Sequence, residues 1–176
     1  RYPDGTAQVV RSGRGFRWKP TGVAMSEIYS GETCHGPLNL PDQSGFRPVC
    51  VGEAPKPGYL RPDASPLPRY LEALEPSAIL TTPKGETVRA FGRIIAGTVE
   101  WVVSGKKGDR VVLQCGDALG PDGNFYTDNL ELFSLDEDRP RPVMQRLEYT
   151  CGGTGKEIFR PRFTYQAFRY VHIITF

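Results

Sequence analysis

The side chains best equipped for chemistry in this sequence are four carboxylates set close to apolar segments: Asp117, Asp122, Asp128 and Glu131. Two of them held across a substrate could serve as general acid and general base. The plainer reading is structural. Asp122-Gly123-Asn124 is a tight-turn sequence, and Asp128-Asn129 suits the start of a loop or helix. Asp122, Asn124 and Asp128 also offer oxygen ligands of the kind calcium takes, but their spacing does not match an EF-hand loop. His35 and His172 have no evident nucleophile beside them. No Gly-x-Ser-x-Gly elbow is present, so acyl transfer has no support. Gly105-Lys106-Lys107-Gly108 precedes no helix and reads as a hairpin loop rather than a phosphate cradle.

A second chemistry is sugar binding, in which an exposed aromatic ring stacks on a sugar face. Tyr126 lies in a loop, with Asp128 and Asn129 close by, and these three form the candidate carbohydrate contact. Trp101 shares strand parity with Val99 and Val103, which places it in the core. Aromatics of the final segment, Tyr165 and Tyr170 among them, are assigned to packing, where each ring buries a large apolar area. Four cysteines, Cys34, Cys50, Cys115 and Cys151, occur without a C-x-x-C or paired histidines, so no metal site is expected. Cys115 has the parity of Val111 and Leu113, and Cys151 that of Leu147 and Tyr149. Both sulfurs therefore enter one core, either as buried free thiols or as a bridge.

The elements that must hold these residues are strands. Gly 20 and Pro 16, well scattered, call for many turns, while 39% hydrophobic and 11% aromatic residues supply a core. Lys+Arg 22 against Asp+Glu 20 gives no basic stripe, so nucleic acid is not an expected partner. No apolar run approaches the roughly 20 residues that span a bilayer, and no membrane partner is expected. Residues 160–176 are aromatic, β-branched or apolar on both faces from Phe163 onward, which describes a strand inside a sheet. Further strands are expected over 7–10, 16–18, 46–51, 74–81, 87–94, 97–104, 109–117 and 146–151, with turn chemistry between most of them. Residues 130–135 are ambiguous between helix and loop, and 136–142 read as a solvated loop. This pattern predicts an all-β, antiparallel two-sheet sandwich of jelly-roll or concanavalin-like form. Arg1 opens on what reads as a strand entering a Pro-Asp-Gly turn, so the chain is expected to be a piece of a longer polypeptide.

Three motifs in fixed order now resemble one family. Phe91-Gly92-Arg93-Ile94-Ile95-Ala96-Gly97 followed by Val99 resembles an FGQN-x-x-G-x-V strand. Asp117-Ala118-Leu119 with Pro121-Asp122-Gly123-Asn124-Phe125-Tyr126-Thr127-Asp128-Asn129-Leu130 resembles AEVL-x-PDG-x-x-YT-x-NL. Residues 159–171, FRPRFTYQAFRYV, resemble W-x-PRFTYHGFRYV. All three are similar to the α-L-rhamnosidases of glycoside hydrolase family 78. Upstream, Asp4-Gly5-Thr6, Trp18 and residues 26–32 (SEIYSGE) resemble segments that close the preceding β-sandwich in that family. Arg93 and Ile94 in place of Gln and Asn, Gln166-Ala167 in place of His-Gly, and His172 in place of Glu mark a divergent member.

The resemblance implies three parts: the tail of one β-domain over 1–36, a proline-rich linker over 37–68, and a concanavalin-like sandwich over 69–176. It implies an accessory role beside a catalytic (α/α)6 barrel that follows downstream. That parent would hydrolyse terminal α-L-rhamnosides by inversion without a cofactor. No residue here matches the family's catalytic acid or base, so the chain alone is expected to be non-catalytic. Implied partners are the downstream barrel, the adjoining β-domains and a rhamnose-containing glycan met outside the cell. An autonomous carbohydrate-binding module is the alternative.

Overall fold

The structure, a computed structural model, describes residues 1–36, 44–53, 58, 61–133, 140–142 and 144–176, with the side chains of 131–133 and 140–142 left aside. In chain order the strands are β1 (Arg17–Trp18), β2 (Val23–Glu27), β3 (Gly31–His35), β4 (Arg47–Pro48), β5 (Ala78–Thr81), β6 (Thr87–Gly97), β7 (Trp101–Gly105) and β8 (Arg110–Gly116). They continue with β9 (Ala118–Leu119), β10 (Phe125–Tyr126), β11 (Glu131–Phe133), β12 (Pro140–Pro142), β13 (Arg146–Thr150), β14 (Gly155–Phe159) and β15 (Gln166–Thr175). Of the expected loop over 136–142, residues 136–139 lie outside the described residues, while 140–142 form β12; it pairs with β11, so 131–133 are strand where helix or loop was expected.

Two compact units emerge: Arg1–Pro20 with Leu40–Leu71, and Thr21–Asn39 with Glu72–Phe176. In the first, β1 and β4 form a two-stranded ladder, and the Arg47 guanidinium sits over the Trp18 ring at 5.7 Å. The strand expected over 7–10 is absent, and Val9 and Val10 are exposed. The division expected at residue 36 moves. The β2–β3 pair belongs with the sandwich, because β3 hydrogen-bonds to β13. The segment read as a linker groups instead with the first twenty residues.

The second unit is a sandwich. Its large sheet has the order β2-β3-β13-β8-β15-β6-β5, faced by a small β14-β7 sheet. The core between them holds Val111, Leu113, Cys115, Leu147, Tyr149 and Phe168 from the large sheet with Val103 and Phe159 from the small one. Trp101 packs against this cluster with Val99, as their shared parity requires. Strand β15 lies between β8 and β6, so its two-sided apolar character follows from its central position. Pairing is antiparallel except for β3 with β13, which run parallel. A parallel pair needs a long crossover, and here the chain between the two strands builds most of the sandwich.

The expected hairpin at 105–108, and a second turn at 151–154, are crossings between sheets. Residues 105–108 lead from β7 in the small sheet to β8 in the large one, and 151–154 lead from β13 to β14. Each sheet then pairs non-neighbours, as sandwiches with Greek-key connections do. The turn at 83–85 is a true hairpin, with Gly85 at φ 84°. In β6, Ala90 pairs with Tyr170 and Ile95 with Phe168, so residues 91–94 bulge opposite Arg169 alone. Gly92 turns that bulge at φ 73°, a conformation most side chains avoid.

Candidate functional site

The loop carrying the predicted site residues is a short hairpin pinned to the sandwich. Strands β9 and β10 pair Leu119 with Phe125 and Ala118 with Tyr126. At its tip, Asn124 is buried. Its backbone N–H donates to Asp122 Oδ1 at 3.1 Å, its Nδ2 to Asp122 Oδ2 at 2.7 Å, and its Oδ1 accepts from the Lys84 N–H at 2.9 Å. The Asn124 side chain and backbone together hold the Asp122 carboxyl below the usual carboxylate range.

The next residue anchors the hairpin. The Phe125 N–H donates to Glu86 Oε2 at 3.0 Å, and the Thr82 hydroxyl donates to the same oxygen at 2.7 Å. Burial pushes the Glu86 carboxyl up, but these two donors together with the His172 and Lys84 charges outweigh it and leave it below its usual range. The Phe125 ring lies 5.2 Å from the His172 ring and against Gly116, where a Cβ would come within 2.7 Å of it. Burial pulls the His172 pKa down, opposed by the Glu86 charge. His172 is thus a packed neighbour of the hairpin.

Beyond the hairpin, Asp128–Leu130 form a 3-10 turn, and Asn129 Nδ2 donates to Asp117 Oδ1 at 2.7 Å. Tyr126, Asp128 and Asn129 are all exposed on this one loop. Of the four candidate carboxylates, Asp117 and Asp122 are committed to local hydrogen bonds, Asp128 faces solvent, and the Glu131 side chain lies outside the described residues. Among the described residues no three His, Cys, Asp or Glu side chains come together as a metal site would require.

Cys115 and Cys151 both enter the core, as free thiols rather than as a bridge. The ladder explains this. Cys115 N–H donates to the Gln145 carbonyl at one end of the β8–β13 pair, and Cys151 N–H to the Asp109 carbonyl at the other. Six residues of strand separate the two sulfurs' backbones, about 20 Å, where a disulfide needs Cα atoms within about 7 Å. Parity gave the shared face and was silent on position along it.

The residues that sequence reasoning missed are buried carboxylates that organise backbone. Glu157, on β14, accepts from the Tyr149 hydroxyl at 2.6 Å, the Gly152 N–H at 2.9 Å, the Thr154 N–H at 2.8 Å and the Thr154 hydroxyl at 3.1 Å. Burial raises its pKa, but the Tyr149 hydroxyl and the Thr154 and Gly152 amides overcome that and bring it to about 2. Glu32, on β3, is fully buried and accepts from the Arg162 and Phe163 N–H groups at 3.1 and 3.0 Å and from Ser26 Oγ at 3.3 Å. A charged residue at an inward strand position is the available signal for both. Its partners, up to 131 residues away, are not readable from the sequence.

The fold and the pinned loop define a concanavalin-like β-sandwich whose acidic residues serve its own architecture. Residues 80–176 match the bacterial α-L-rhamnosidase concanavalin-like domain, and the chain belongs to that family. An α-L-rhamnosidase of Streptomyces avermitilis is 30% identical over 183 residues, covering 99% of this chain and 17% of that protein. One from Formosa agariphila is 26% identical and covers 98% of this chain and 18% of its own length. The fold superposes on the α-L-rhamnosidase of Aspergillus terreus with TM-score 0.81 at 24% identity, over 99% of this chain and 20% of that one. It superposes on the Streptomyces avermitilis enzyme solved with L-rhamnose with TM-score 0.71 at 26% identity, over 98% and 16%. The chain thus spans about a sixth to a fifth of the relatives it matches.

Proposed function

We propose that this chain is an accessory, non-catalytic β-sandwich of an α-L-rhamnosidase. Its parent hydrolyses terminal α-linked L-rhamnosides by inversion, with the acid–base pair on a downstream (α/α)6 barrel. The observation that carries this is the family match over 80–176 together with how the carboxylates here are used. Inversion needs two carboxyls roughly 6.5–9.5 Å apart around a water. In this chain Asp117, Asp122, Glu32, Glu86 and Glu157 are each engaged in holding turns or loops.

The test is hydrolysis of p-nitrophenyl α-L-rhamnoside by the 176-residue chain and by the full-length protein. Turnover only in the full-length protein is expected. Turnover by the short chain would overturn the accessory role, and silence in both would remove the rhamnosidase reading.

A weaker second reading rests on the exposure of Tyr126 with Asp128 and Asn129 on one loop. These three contact a rhamnose-containing glycan, with the ring stacking on the sugar face. Titration of the chain with L-rhamnose, followed by NMR shifts at these three residues, checks it; unmoved resonances at saturating sugar would refute it.

A further inference from the structure

The β9–β10 hairpin and the turn after it, residues 117–130, are fastened to the sandwich through carboxylates. The hairpin's own ladder is two residue pairs long. A two-stranded ribbon of that length is not stable alone in water and depends on what ties it down. Glu86 Oε2, in the β5–β6 turn, accepts from the Phe125 N–H and from the Thr82 hydroxyl. Asp122 accepts from both the backbone N–H and Nδ2 of Asn124, and so aims Asn124 Oδ1 at the Lys84 N–H. Asp117 accepts from Asn129 Nδ2 farther along the loop. Protonating a carboxylate adds a hydrogen where these donors point and removes the charge that makes it a strong acceptor.

Under the hairpin lies a group that acid charges. The Phe125 ring rests on Gly116 and sits 5.2 Å from the His172 ring. On the same sheet face, His172 stands between Val88 of β6, which is fully buried, and Gln114 of β8. The charges that face it come from the β5–β6 turn: the Glu86 carboxylate, with the Lys84 ammonium acting on Glu86 in turn. When acid protonates His172, Glu86 balances the new charge only while it is itself ionised. Once Glu86 is neutral, an imidazolium is left half-buried under the ring without its counter-charge.

Both effects have the same sign. Glu86 and Asp122 titrate below their ordinary 4.5 and 3.8, so their bonds are intact above about pH 4.5 and fail as the pH falls through the lower folded values. His172 titrates below its ordinary 6.5, so its protonation also counts against the closed hairpin as the pH falls. The sheet beneath is built differently. Strands β8 and β13 are joined by their ladder and by Val111, Leu113, Leu147 and Tyr149, and Glu157 stays ionised down to about pH 2.

We infer that residues 117–130 form an acid-released flap: neutralising Glu86, Asp122 and Asp117 frees the hairpin from the sheet while the sandwich beneath stays folded. Opening lifts the Phe125 ring off Gly116 and His172 and carries Tyr126 away with it. Release needs neither a bound sugar nor turnover elsewhere in the polypeptide.

The test is hydrogen exchange of the full-length protein from about pH 7 down to about pH 2.5, read peptide by peptide by mass spectrometry. Dividing by the intrinsic exchange rate at each pH leaves protection alone. Protection over 118–126 is expected to fall at least about tenfold between about pH 6 and about pH 3, while that over 111–115 and 146–150 changes less than about twofold. Equal loss in all three segments would overturn the inference in favour of global acid unfolding. Undiminished protection over 118–126 would overturn it outright. Two variants read the same signal. Glu86→Gln, fixed in the neutral state, lowers protection over 118–126 already at about pH 6 and flattens its dependence on pH. His172→Gln, which cannot charge, moves the loss to lower pH. A wild-type profile in both variants would overturn the assignment of the release to this pair. Should either variant fail to fold, the wild-type profile decides by itself.

Discussion

Replacing Glu157 by glutamine tests how much one buried carboxylate holds the sandwich together. Four donors converge on it: the Tyr149 hydroxyl, two amide N–H groups and the Thr154 hydroxyl. Glutamine keeps the shape but turns one acceptor oxygen into an NH2 that faces donors. The folded carboxyl has a pKa of about 2 against an ordinary 4.5, and glutamine resembles the protonated acid. At 1.36 kcal/mol per unit, Glu157→Gln should cost about 3 kcal/mol near neutral pH. Because the folded pKa lies below the unfolded one, this stabilisation is present above about pH 4.5 and fades as pH falls through about 2. Urea unfolding followed by circular dichroism at a series of pH values supplies the comparison. The wild-type midpoint should approach that of the variant on acidification, while the variant lacks this component. A variant within about 0.5 kcal/mol of wild type at pH 7, with unchanged m, would refute the reasoning.

Three other outcomes are expected. Glu32→Ala leaves the Arg162 and Phe163 amides unpaired, costs roughly 2–4 kcal/mol and speeds amide exchange at both; unchanged exchange there would contradict it. Thiol titration in denaturant without reductant finds four thiols. In the native chain exposed Cys50 reacts first, because burial raises the Cys34 pKa to about 11, with the Glu32 charge adding to it, and that of Cys115 to about 12. Two thiols in denaturant would mean a bridge exists after all. Gly31→Ala should abolish cooperative folding, since Gly31 sits at φ 108° and a Cβ there would overlap the Arg146 carbonyl oxygen; a variant melting within a few degrees of wild type would be inconsistent with this β3–β13 contact.

Much of the sandwich was legible because its strands alternate locally. Val99, Trp101 and Val103 announce one buried face, and the uninterrupted apolar run before Phe176 announces a central strand. What was not legible depends on distance along the chain. Nothing within residues 21–36 says that their partner is β13, so they were assigned to the wrong body. Phe163 and Tyr165 share the composition of the strand they precede, yet both are exposed, in a segment tied down by the Glu32 bonds to the 162 and 163 amides and by the Thr164 hydroxyl on the Glu27 and Ile28 carbonyls. The site loop was read correctly as turn chemistry, but its anchor, Glu86, lies 39 residues upstream of the amide it binds.

The parallel pairing of β3 with β13 also has a consequence in time. Thr33 and its partner Glu148 are 115 residues apart. At about 5–20 residues per second, a ribosome takes roughly 6–20 s to deliver β13 after β3 has emerged. Throughout that interval the β2–β3 ribbon has an open edge. Glu32, with its charge on the side that will later face inward, makes premature pairing with another nascent chain costly.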